Sequence, residues 1–178
     1  KVGQILLTQE DFNDRKRYLN IKHTINALLK HRAIPVINEN DTVSVDEVKF
    51  GDNDRLSALV ASLISADLLV ILSDVDGLLD KDKKTPVRVV DEITPQIKSL
   101  ACPTLRGTCV GGMITKIEAA RIAINSGIPC VIANGCTKNI ISSIINDPSK
   151  NGTIFVPKKA LTERERWIAF GTKSKGKI

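Results

Sequence analysis

The sequence predicts an α/β fold with a mostly parallel sheet. Short apolar runs of strand length recur along the 178 residues, and segments whose apolar residues recur at helical spacing separate them. Strands that alternate with helices in this way are typical of parallel sheets. Polar clusters also follow several of the apolar runs directly, and this is where such sheets bind ligands. A chain of this length has room for one well-buried domain.

The first strand is predicted over residues 4–8 and the first helix over residues 11–31. The apolar side of this helix is formed, at near-helical spacing, by Leu19, Ile21, Ile25, Leu28 and Leu29. A second strand is predicted over residues 33–38. Residues 41–50 alternate valines with polar residues, a pattern that predicts a surface hairpin.

The second helix is predicted over residues 54–65 and carries apolar Leu56, Leu59, Val60, Leu63 and Ile64. The third strand, over residues 68–72, is a continuous apolar run, which predicts burial on both of its faces. Residues 79–93 are rich in Lys and Asp before they give three valines, and they predict a second hairpin.

The third helix is predicted over Met113–Asn125, and Gly127 is the glycine expected just past its end. A buried strand over residues 130–133 follows. A helix over residues 139–145 and a last strand over residues 153–156 complete the alternation of strands and helices.

Positive charge is concentrated at the end of the chain. The net charge is +6, and residues 158–178 hold seven Lys or Arg against two Glu. A basic tail can contact nucleic acid, but charge runs are usually solvated, so we expect a basic linker or tail there. Residues 1–157 are then the predicted domain.

Composition makes several other classes of protein unexpected. The longest apolar run, over residues 68–72, is far shorter than the ~18–20 residues of a membrane span. The four cysteines include no CxxC pair and lie far from both histidines in sequence, so we expect no zinc site. We expect reduced thiols in a cytoplasmic protein.

Polar residues follow three predicted strands at their carboxyl ends. Asn38 to Asp41 follow the second strand, Ser73 and Asp74 follow the third, and Asn134 follows the fourth. Because the carboxyl ends of parallel strands meet at one edge of a sheet, we expect these residues to share one site.

Two further clusters precede predicted helices. Asp52, Asn53 and Asp54 precede the second helix, where one such residue would suffice as an N-cap. Gly111 and Gly112 precede the third helix. Two glycines often mark only a turn, but they also let backbone N–H groups approach an anion at a helix start.

Lys116 falls in the first turn of the third helix. A cation is unfavourable at that end of a helix dipole unless an anion is present to be neutralised. The chain has no Walker A sequence and no Rossmann GxGxxG, so the P-loop and dinucleotide-binding classes are not expected. The pattern predicts a phosphate at the start of this helix.

Four segments resemble motifs of glutamate 5-kinases, in that family's order, over residues 37–41, 50–58, 72–78 and 111–120. The last two motifs are shared widely among amino-acid kinases, and the first two point to glutamate 5-kinases. Residues 166–171 look like the linker that leads to a PUA domain in many bacterial members. The resemblance runs along essentially the whole chain and implies a partial amino-acid kinase fold, a three-layer αβα sandwich with a mostly parallel sheet.

The resemblance implies ATP-dependent phosphorylation of the γ-carboxylate of L-glutamate, the first step of proline biosynthesis. Asn38, Asp41 and Asn53 would bind glutamate, and Asp52 would assist them. Asp54 would organise the catalytic lysines.

Lys116 would stabilise charge on the transferring phosphoryl group, since such transfer depends on positioning and electrostatics. The ATP site would be lined by Ser73, Asp74, Val110, Gly111, Gly112, Met113, Ile114, Thr115 and Lys116. Mg²⁺ would bridge the phosphates, held mostly by water rather than by a protein cage. The resemblance also implies a homo-oligomer, a dimer or tetramer, with neither a membrane nor nucleic acid as partner.

Two features depart from the pattern of the resembled family. Its members begin with a strand and a glycine-rich loop that bears another phosphate-binding Lys and a substrate-binding Ser, and the sequence from Lys1 to Ile178 does not contain this segment. Cys109 stands where the family usually has Gly, and a non-glycine residue accepts φ > 0 less easily. We therefore expect the isolated chain to turn over poorly.

Two alternatives stay open. Another amino-acid kinase, acting on acetylglutamate, aspartate or uridylate, would share the last two motifs. A non-catalytic nucleotide-binding fragment, with its basic tail on RNA, would fit the absence of the glycine-rich loop. A substrate panel would separate the first alternative, and salt-sensitive RNA binding would indicate the second.

Overall fold

The computed structural model describes residues 1–43, 53–82, 84–101, 112–157 and 162–168. Strands and helices alternate along the chain, which confirms the predicted α/β class. In chain order the elements are β1 (Val2–Leu7), α1 (Gln9–Asn13), α2 (Arg15–Lys30), β2 (Ile34–Glu39), α3 (Asn53–Ile64), β3 (Leu69–Ser73), β4 (Val89–Val90), α4 (Pro95–Ala101), α5 (Met113–Asn125), β5 (Cys130–Asn134), α6 (Ile140–Asn146), β6 (Thr153–Phe155) and α7 (Glu163–Arg166).

The five predicted strands are all present, and their bounds differ from the prediction by one or two residues, as element ends commonly do. Helix α5 matches its prediction over its full length. Gly127 has φ 78°, the left-handed conformation that lets the backbone turn back at the end of a helix. The Ile128 amide then donates to the Ala123 carbonyl, 2.9 Å away, and closes this end.

The single helix predicted over residues 11–31 is wrong, because two helices, α1 and α2, meet at Asp14. The backbone of Asp14 is extended, with φ −89° and ψ 121°, and its Oδ1 accepts a hydrogen bond from the Arg17 amide at 2.8 Å. Asp11 Oδ2 accepts one from the Thr8 amide at 2.7 Å, so α1 begins earlier than predicted. Both are capping interactions, which favour ending one helix and starting another.

The hairpin predicted over residues 79–93 is only partly present. Leu79 and Pro86 form an isolated antiparallel bridge, but Val89–Val90 joins the larger sheet as β4. The valines therefore satisfy their backbone groups in the sheet rather than across a hairpin. The hairpin predicted over residues 41–50 lies outside the described residues beyond Val43.

Helix α4 is not predicted by the sequence analysis. It begins at Pro95, and Pro is favoured at the first helical position because its missing N–H needs no partner there. Thr94 Oγ1 accepts a hydrogen bond from the Ile97 amide at 3.3 Å, as an N-cap does. A helix of seven residues is too short to show a clear apolar period, so only these start signals could have found it.

The described strands form two sheets. β1 and β2 pair in parallel, and the larger sheet has the order β3-β5-β6-β4. β3 is parallel to β5 and β4 to β6, whereas β5 and β6 are antiparallel, so the pairing is mostly parallel as predicted. The register places Ser73 opposite Asn134 and Leu7 opposite Glu39, both at carboxyl ends.

The larger sheet is covered by helices on both faces, which confirms the three-layer arrangement. Successive residues of a strand point to opposite faces. Ile132 of β5 accordingly packs in the main core with residues of α3 and α5, whereas Val131 packs with Ile144 of α6.

Helices α3 and α5 lie side by side and run in the same direction. Near their starts Asp54 contacts Lys116, and near their ends Ser62 contacts Ser126. Small buried residues line both helices and allow them to approach closely: Ala58, Ala61, Ala119, Ala120 and Ala123. This packing brings the first turns of α3 and α5 to the same end of the domain.

One face of the β1–β2 sheet has no covering layer among the described residues. Val2 and Ile34 are 68% and 66% exposed, and Leu6 and Val36 beside them are also exposed. Apolar side chains therefore meet solvent across two adjacent strands. None of the helices in the described ranges is both long and apolar enough to cross a membrane.

Candidate functional site

The packing of α3 against α5 brings two predicted site residues together. Asp54 lies in the first turn of α3 and Lys116 in the first turn of α5. Lys116 Nζ donates a hydrogen bond to Asp54 Oδ2 at 2.8 Å, and the side chains are only 16% and 12% exposed. A partly buried ion pair is shielded from solvent more than a surface pair, so each charge holds the other in a defined place.

Thr115 joins this pair. Its Oγ1 lies 3.0 Å from Asp54 Oδ2 and 2.8 Å from the Gly112 carbonyl, and its single hydrogen can be donated to one of them at a time. One oxygen of the Asp54 carboxylate, Oδ2, therefore contacts both an ammonium and a hydroxyl, and both groups come from the first turn of α5. This arrangement fixes Lys116 at the start of the helix, where a cation alone would be unfavourable.

The start of α5 depends on glycine at its N-cap. Gly112 has φ 76° and ψ −130°, a conformation that L side chains rarely adopt. Within the described ranges no heavy atom lies within 4 Å of a Cβ built there, so the backbone conformation is the reason for glycine that this part of the chain shows. The first amides of α5, from Met113, Ile114 and Thr115, face the open end of the helix, where a helix favours anions.

The carboxyl ends of β3 and β5 carry a second set of polar groups. The Ser73 hydroxyl donates to Asp74 Oδ1 at 3.1 Å. Asn134 Nδ2 donates to Asp76 Oδ1 at 2.9 Å, so the segment after β3 is tied to the end of β5. The sequence analysis places Asn134 at this edge but gives it no role, and its bond to Asp76 shows that it orients the chain that follows Asp74.

Gly77 lets this segment lie close against β6. Its φ is 131°, and a Cβ there would come within 2.6 Å of the Thr153 hydroxyl oxygen. The same hydroxyl oxygen accepts a buried hydrogen bond from the Leu78 amide at 2.8 Å. The backbone after β3 is thus held in place by a close contact that only glycine permits.

An apolar cavity of about 170 Å³ opens beside the start of α5. It is lined by Val75, Gly77, Leu78, Leu79, Leu100, Ala101 and Met113. Met113 is one of the predicted ATP-binding residues, and Val75, Gly77 and Leu78 belong to the motif over residues 72–78. Leu100 and Ala101 were not predicted to be near the site, and they belong to α4. The cavity places apolar surface next to the anion-favouring helix start.

Among the described residues predicted to bind glutamate, only Asn53 lines the groove beside α3. Asn53 begins α3 and, with Pro35, Ile37 and residues along α3, lines a groove of about 450 Å³. Asn38 is the last residue but one of β2 and Asp41 lies in the turn after that strand, and both are exposed. Successive residues of a strand point to opposite faces, so Asn38 lies on the face opposite to the one that Ile37 presents to the groove.

Three predicted site residues, Asp52, Val110 and Gly111, lie outside the described residues. Cys130 lies at the start of β5, and burial raises the pKa of its thiol, with the negative charge of Asp54 raising that pKa further. The thiol therefore stays protonated and acts as a small apolar group, as the sequence predicts.

Comparison with known proteins agrees with this geometry. Residues 1–134 match the profile of the Amino acid kinase family. A glutamate 5-kinase of Thermoanaerobacter sp. (strain X514) is 50% identical over 184 residues, which cover 99% of this chain and 49% of that protein. A glutamate 5-kinase of Caldanaerobacter subterraneus subsp. tengcongensis is 52% identical over 182 residues, covering 98% and 48%.

The chain thus spans about half the length of the curated relatives it matches. Among solved structures, a carbamate kinase of Giardia superposes with a TM-score of 0.50 and 19% identity, over 77% of this chain and 47% of that one. At that identity the likeness concerns the fold, and it agrees with the αβα layers described above. The match of the family profile over residues 1–134, three quarters of the sequence, shows that this chain belongs to the amino acid kinase family.

Proposed function

We propose that the gene product transfers the γ-phosphoryl group of ATP to the γ-carboxylate of L-glutamate, giving γ-glutamyl phosphate and ADP as the first step of proline biosynthesis. A carboxylate oxygen forms the new bond to phosphorus while the bond from phosphorus to the ADP oxygen breaks. The observation that carries the proposal is the contact of Lys116 with Asp54 at the start of α5. L-glutamate is the proposed substrate because glutamate 5-kinases are about 50% identical along the chain.

Lys116 supplies the positive charge that stabilises the transferring phosphoryl group. Phosphoryl transfer spreads negative charge over the equatorial oxygens, and a fixed ammonium stabilises that charge without rearranging as the reaction proceeds. Asp54 keeps the ammonium in place, and the Thr115 hydroxyl contacts the same carboxylate oxygen, Oδ2. Asp54 is therefore an organising group that acts through Lys116.

The nucleotide lies over the start of α5 in this proposal. The amides of the first turn face the phosphates, and the apolar cavity lined by Leu78, Leu100 and Met113 takes the base. Ser73 and Asp74 border the phosphates at the end of β3, joined in the intact site by Val110 and Gly111. Each group used here supplies position or charge, which is what this chemistry requires from a protein.

The donor set at this edge suits Mg²⁺ bound mainly through water and phosphate oxygens. Mg²⁺ usually takes one or two carboxylates and keeps several waters. Asp74 is exposed and presents a carboxylate beside Ser73, whereas the Asp54 carboxylate is engaged by Lys116. Asp74 would therefore hold the ion, which neutralises phosphate charge when it is bound.

Glutamate binds near the start of α3 in this proposal. Asn53 begins α3 and lines the groove beside it, whereas Asn38 and Asp41 lie near and just after the end of β2, with Asp52 next to Asn53 in sequence. Amide groups suit the substrate carboxylates, and the Asp41 carboxylate suits the substrate ammonium.

We further propose that the enzyme is a cytoplasmic dimer or tetramer without nucleic-acid partners. Residues 1–157 would form the kinase domain, and residues 158–178 would form its linker.

The test is glutamate-dependent release of ADP by the full-length gene product. Lys116→Ala and Asp54→Ala should abolish it. Arg121→Ala is the matched control, because Arg121 also lies on α5 and pairs with a carboxylate, Glu118, but away from the site. Wild-type turnover in both site variants would overturn the roles given to this pair.

A substrate panel distinguishes the other members of the family. N-acetylglutamate, aspartate and uridine monophosphate each replace glutamate at equal concentration, with ATP and Mg²⁺ held constant. Preference for glutamate supports the proposal, and preference for any of the others overturns the assigned substrate while leaving the kinase chemistry in place.

A further inference from the structure

The segment after the domain returns to the start of the chain and contacts helix α1. Trp167 directly follows α7, and its indole Nε1–H donates a hydrogen bond to the main-chain carbonyl of Phe12 at 3.1 Å. The two residues are separated by 155 positions in sequence. The indole also packs, partly buried, against the main apolar core. The basic segment thus includes a residue with a specific place on the folded domain.

Arg15 joins this contact from α2. Its guanidinium carbon lies 5.3 Å from the Trp167 ring centroid and 5.3 Å from the Tyr18 ring centroid. Tyr18 in turn meets Phe12 edge to face, with centroids 6.5 Å apart and an interplanar angle of 77°. A cation between two aromatic faces is attracted by both, so Trp167 is held by its ring as well as by its N–H.

Helix α1 depends on such contacts because it has only five residues. A helix of this length does not persist by itself in water. Its start is capped by Thr8 and Asp11, whose groups hydrogen-bond each other. Phe12 is the last residue but one of α1, so its carbonyl lies at the end of the helix. Trp167 supplies a donor at that end.

The position of α1 matters for the glutamate side of the site. Only Thr8 separates α1 from β1, which ends at Leu7. The Asn40 amide donates to the Leu7 carbonyl at 2.8 Å, so the turn that carries Asn38 and Asp41 is bound to the same end of β1 that leads into α1. A chain of direct contacts therefore runs from Trp167 through α1 and β1 to this turn.

We propose that Trp167 is a positioning residue for glutamate, which holds α1 and thereby the turn over residues 38–41. This inference rests on the proposed function. It also makes the coupling reciprocal: if docking of Trp167 favours glutamate binding, bound glutamate favours docking of Trp167 by the same factor. The groups proposed to bind ATP have no such link to Trp167 in the described contacts.

Trp167 is the only tryptophan of the chain, so its fluorescence reports its own docking. Glutamate added to the full-length gene product, with any further tryptophan replaced by phenylalanine, should shield Trp167 from acrylamide, and ATP alone should not. Arg15→Gln should leave Trp167 more open to acrylamide before glutamate is added. Lys16→Gln is the control, since Lys16 is its exposed neighbour on α2, and it should behave as the wild type.

Steady-state kinetics of the same gene product then decide the inference. Trp167→Ala should raise KM for glutamate by about tenfold, within the usual range of coupling between sites, while KM for ATP and kcat change less than about twofold. Trp167→Phe keeps a ring over Arg15 and should recover part of the loss. Thermal melting of each variant verifies that it is folded, and Arg15→Gln provides a milder second variant.

The outcomes separate the inference from the proposed function. A wild type that phosphorylates glutamate, with folded Trp167→Ala and Arg15→Gln variants that keep its KM for glutamate, overturns the positioning role alone. An equal loss for glutamate and ATP also overturns it, because a general loss of structure would produce that result. A wild type without glutamate-dependent turnover overturns the proposed function, and the inference with it.

Discussion

The Ser126 and Ser62 hydroxyl oxygens lie 2.9 Å apart, within hydrogen-bond distance, in the buried contact between the last turn of α3 and the end of α5. The Ser126 hydroxyl oxygen also lies 2.8 Å from the Ile122 carbonyl oxygen, and its single hydrogen can be donated to one of these two partners at a time. The opposite ends of the same two helices carry Asp54 and Lys116, which form an ion pair. One polar contact at each end therefore helps to set how α3 and α5 align along their length.

Breaking the serine contact should lower stability in a non-additive way. Ser62→Ala or Ser126→Ala leaves the other hydroxyl with one partner fewer in a buried place, and each should lower the free energy of unfolding by about 1 kcal/mol. The double variant should cost less than the sum, because both polar groups are then gone. Urea unfolding of all four proteins measures this coupling, and strictly additive losses would contradict the paired role of the hydroxyls.

Replacing Lys116 by methionine should affect catalysis more than nucleotide binding. Methionine keeps most of the apolar stem but removes the ammonium that Asp54 holds. We expect kcat to fall by about 10²–10³-fold, the usual cost of losing one preorganised charge-stabilising group, with a smaller change in KM for ATP. Steady-state kinetics over both substrates measure the two effects. A variant that loses only ATP affinity would place Lys116 in binding rather than in the transfer step.

Two glycine-to-alanine changes should differ in their effects. Gly112→Ala meets open space, so its cost is that of a left-handed backbone for an L residue, about 1–2 kcal/mol, and it should chiefly weaken ATP binding at the start of α5. Gly77→Ala adds a clash at 2.6 Å with the Thr153 hydroxyl oxygen and should destabilise the fold more. Thermal unfolding ranks the two variants, and the reverse order would contradict this explanation.

The sequence predicted helix α5 and the residues around its start well because the signals there are local. Gly112 and Gly127 mark the two ends of the helix, and Lys116 is conspicuous in its first turn. The pairing of Lys116 with Asp54 could be suggested only through the family resemblance, because side-by-side packing of two helices leaves no mark in either segment taken alone.

The failures of prediction have physical causes of two kinds. The break at Asp14 was missed because the apolar residues that predicted the helix, from Leu19 to Leu29, all lie beyond it, although the capping residues Thr8 and Asp11 were visible in the sequence. The apolar cavity beside α5 was missed because it needs Leu100 from a helix too short to show a period, together with chain folded back by Gly77. Long-range packing decided both the cavity and the separation of the strands into two sheets.

Acid should weaken one ion-pair cluster on the surface of α5. Partial burial of Glu118 raises the pKa of its carboxyl, but hydrogen bonds from Lys98 and Arg121 outweigh this, and the pKa lies below its ordinary value. Since the folded-state pKa is the lower one, the cluster contributes stability above the unfolded-state pKa, ordinarily about 4.3. That contribution is lost as pH falls through the folded-state pKa.

Glu118→Gln tests this contribution. Because the three side chains are substantially exposed, the loss at pH 7 should be small, about 0.5 kcal/mol, and it should shrink as the pH falls and the wild-type carboxyl itself becomes protonated. Urea unfolding of both proteins at pH 7, 4 and 3 measures the difference. A difference that grows as the pH falls would contradict the direction of the pKa shift.

The exposed apolar face of the β1–β2 sheet should make the 178-residue chain associate in solution. This face carries four exposed apolar side chains, those of Val2, Leu6, Ile34 and Val36. Exposed apolar surface of this kind favours association. Ile34→Thr with Val36→Thr keeps β-branched residues suited to a strand while making the face polar, so secondary structure should persist. Light scattering across a concentration series should show less association for this variant than for the wild type.

The control is Leu29→Thr, which changes an exposed residue of helix α2 away from the sheet face and should leave association unchanged. Equal association of all three proteins would show that the surface which drives self-contact lies elsewhere.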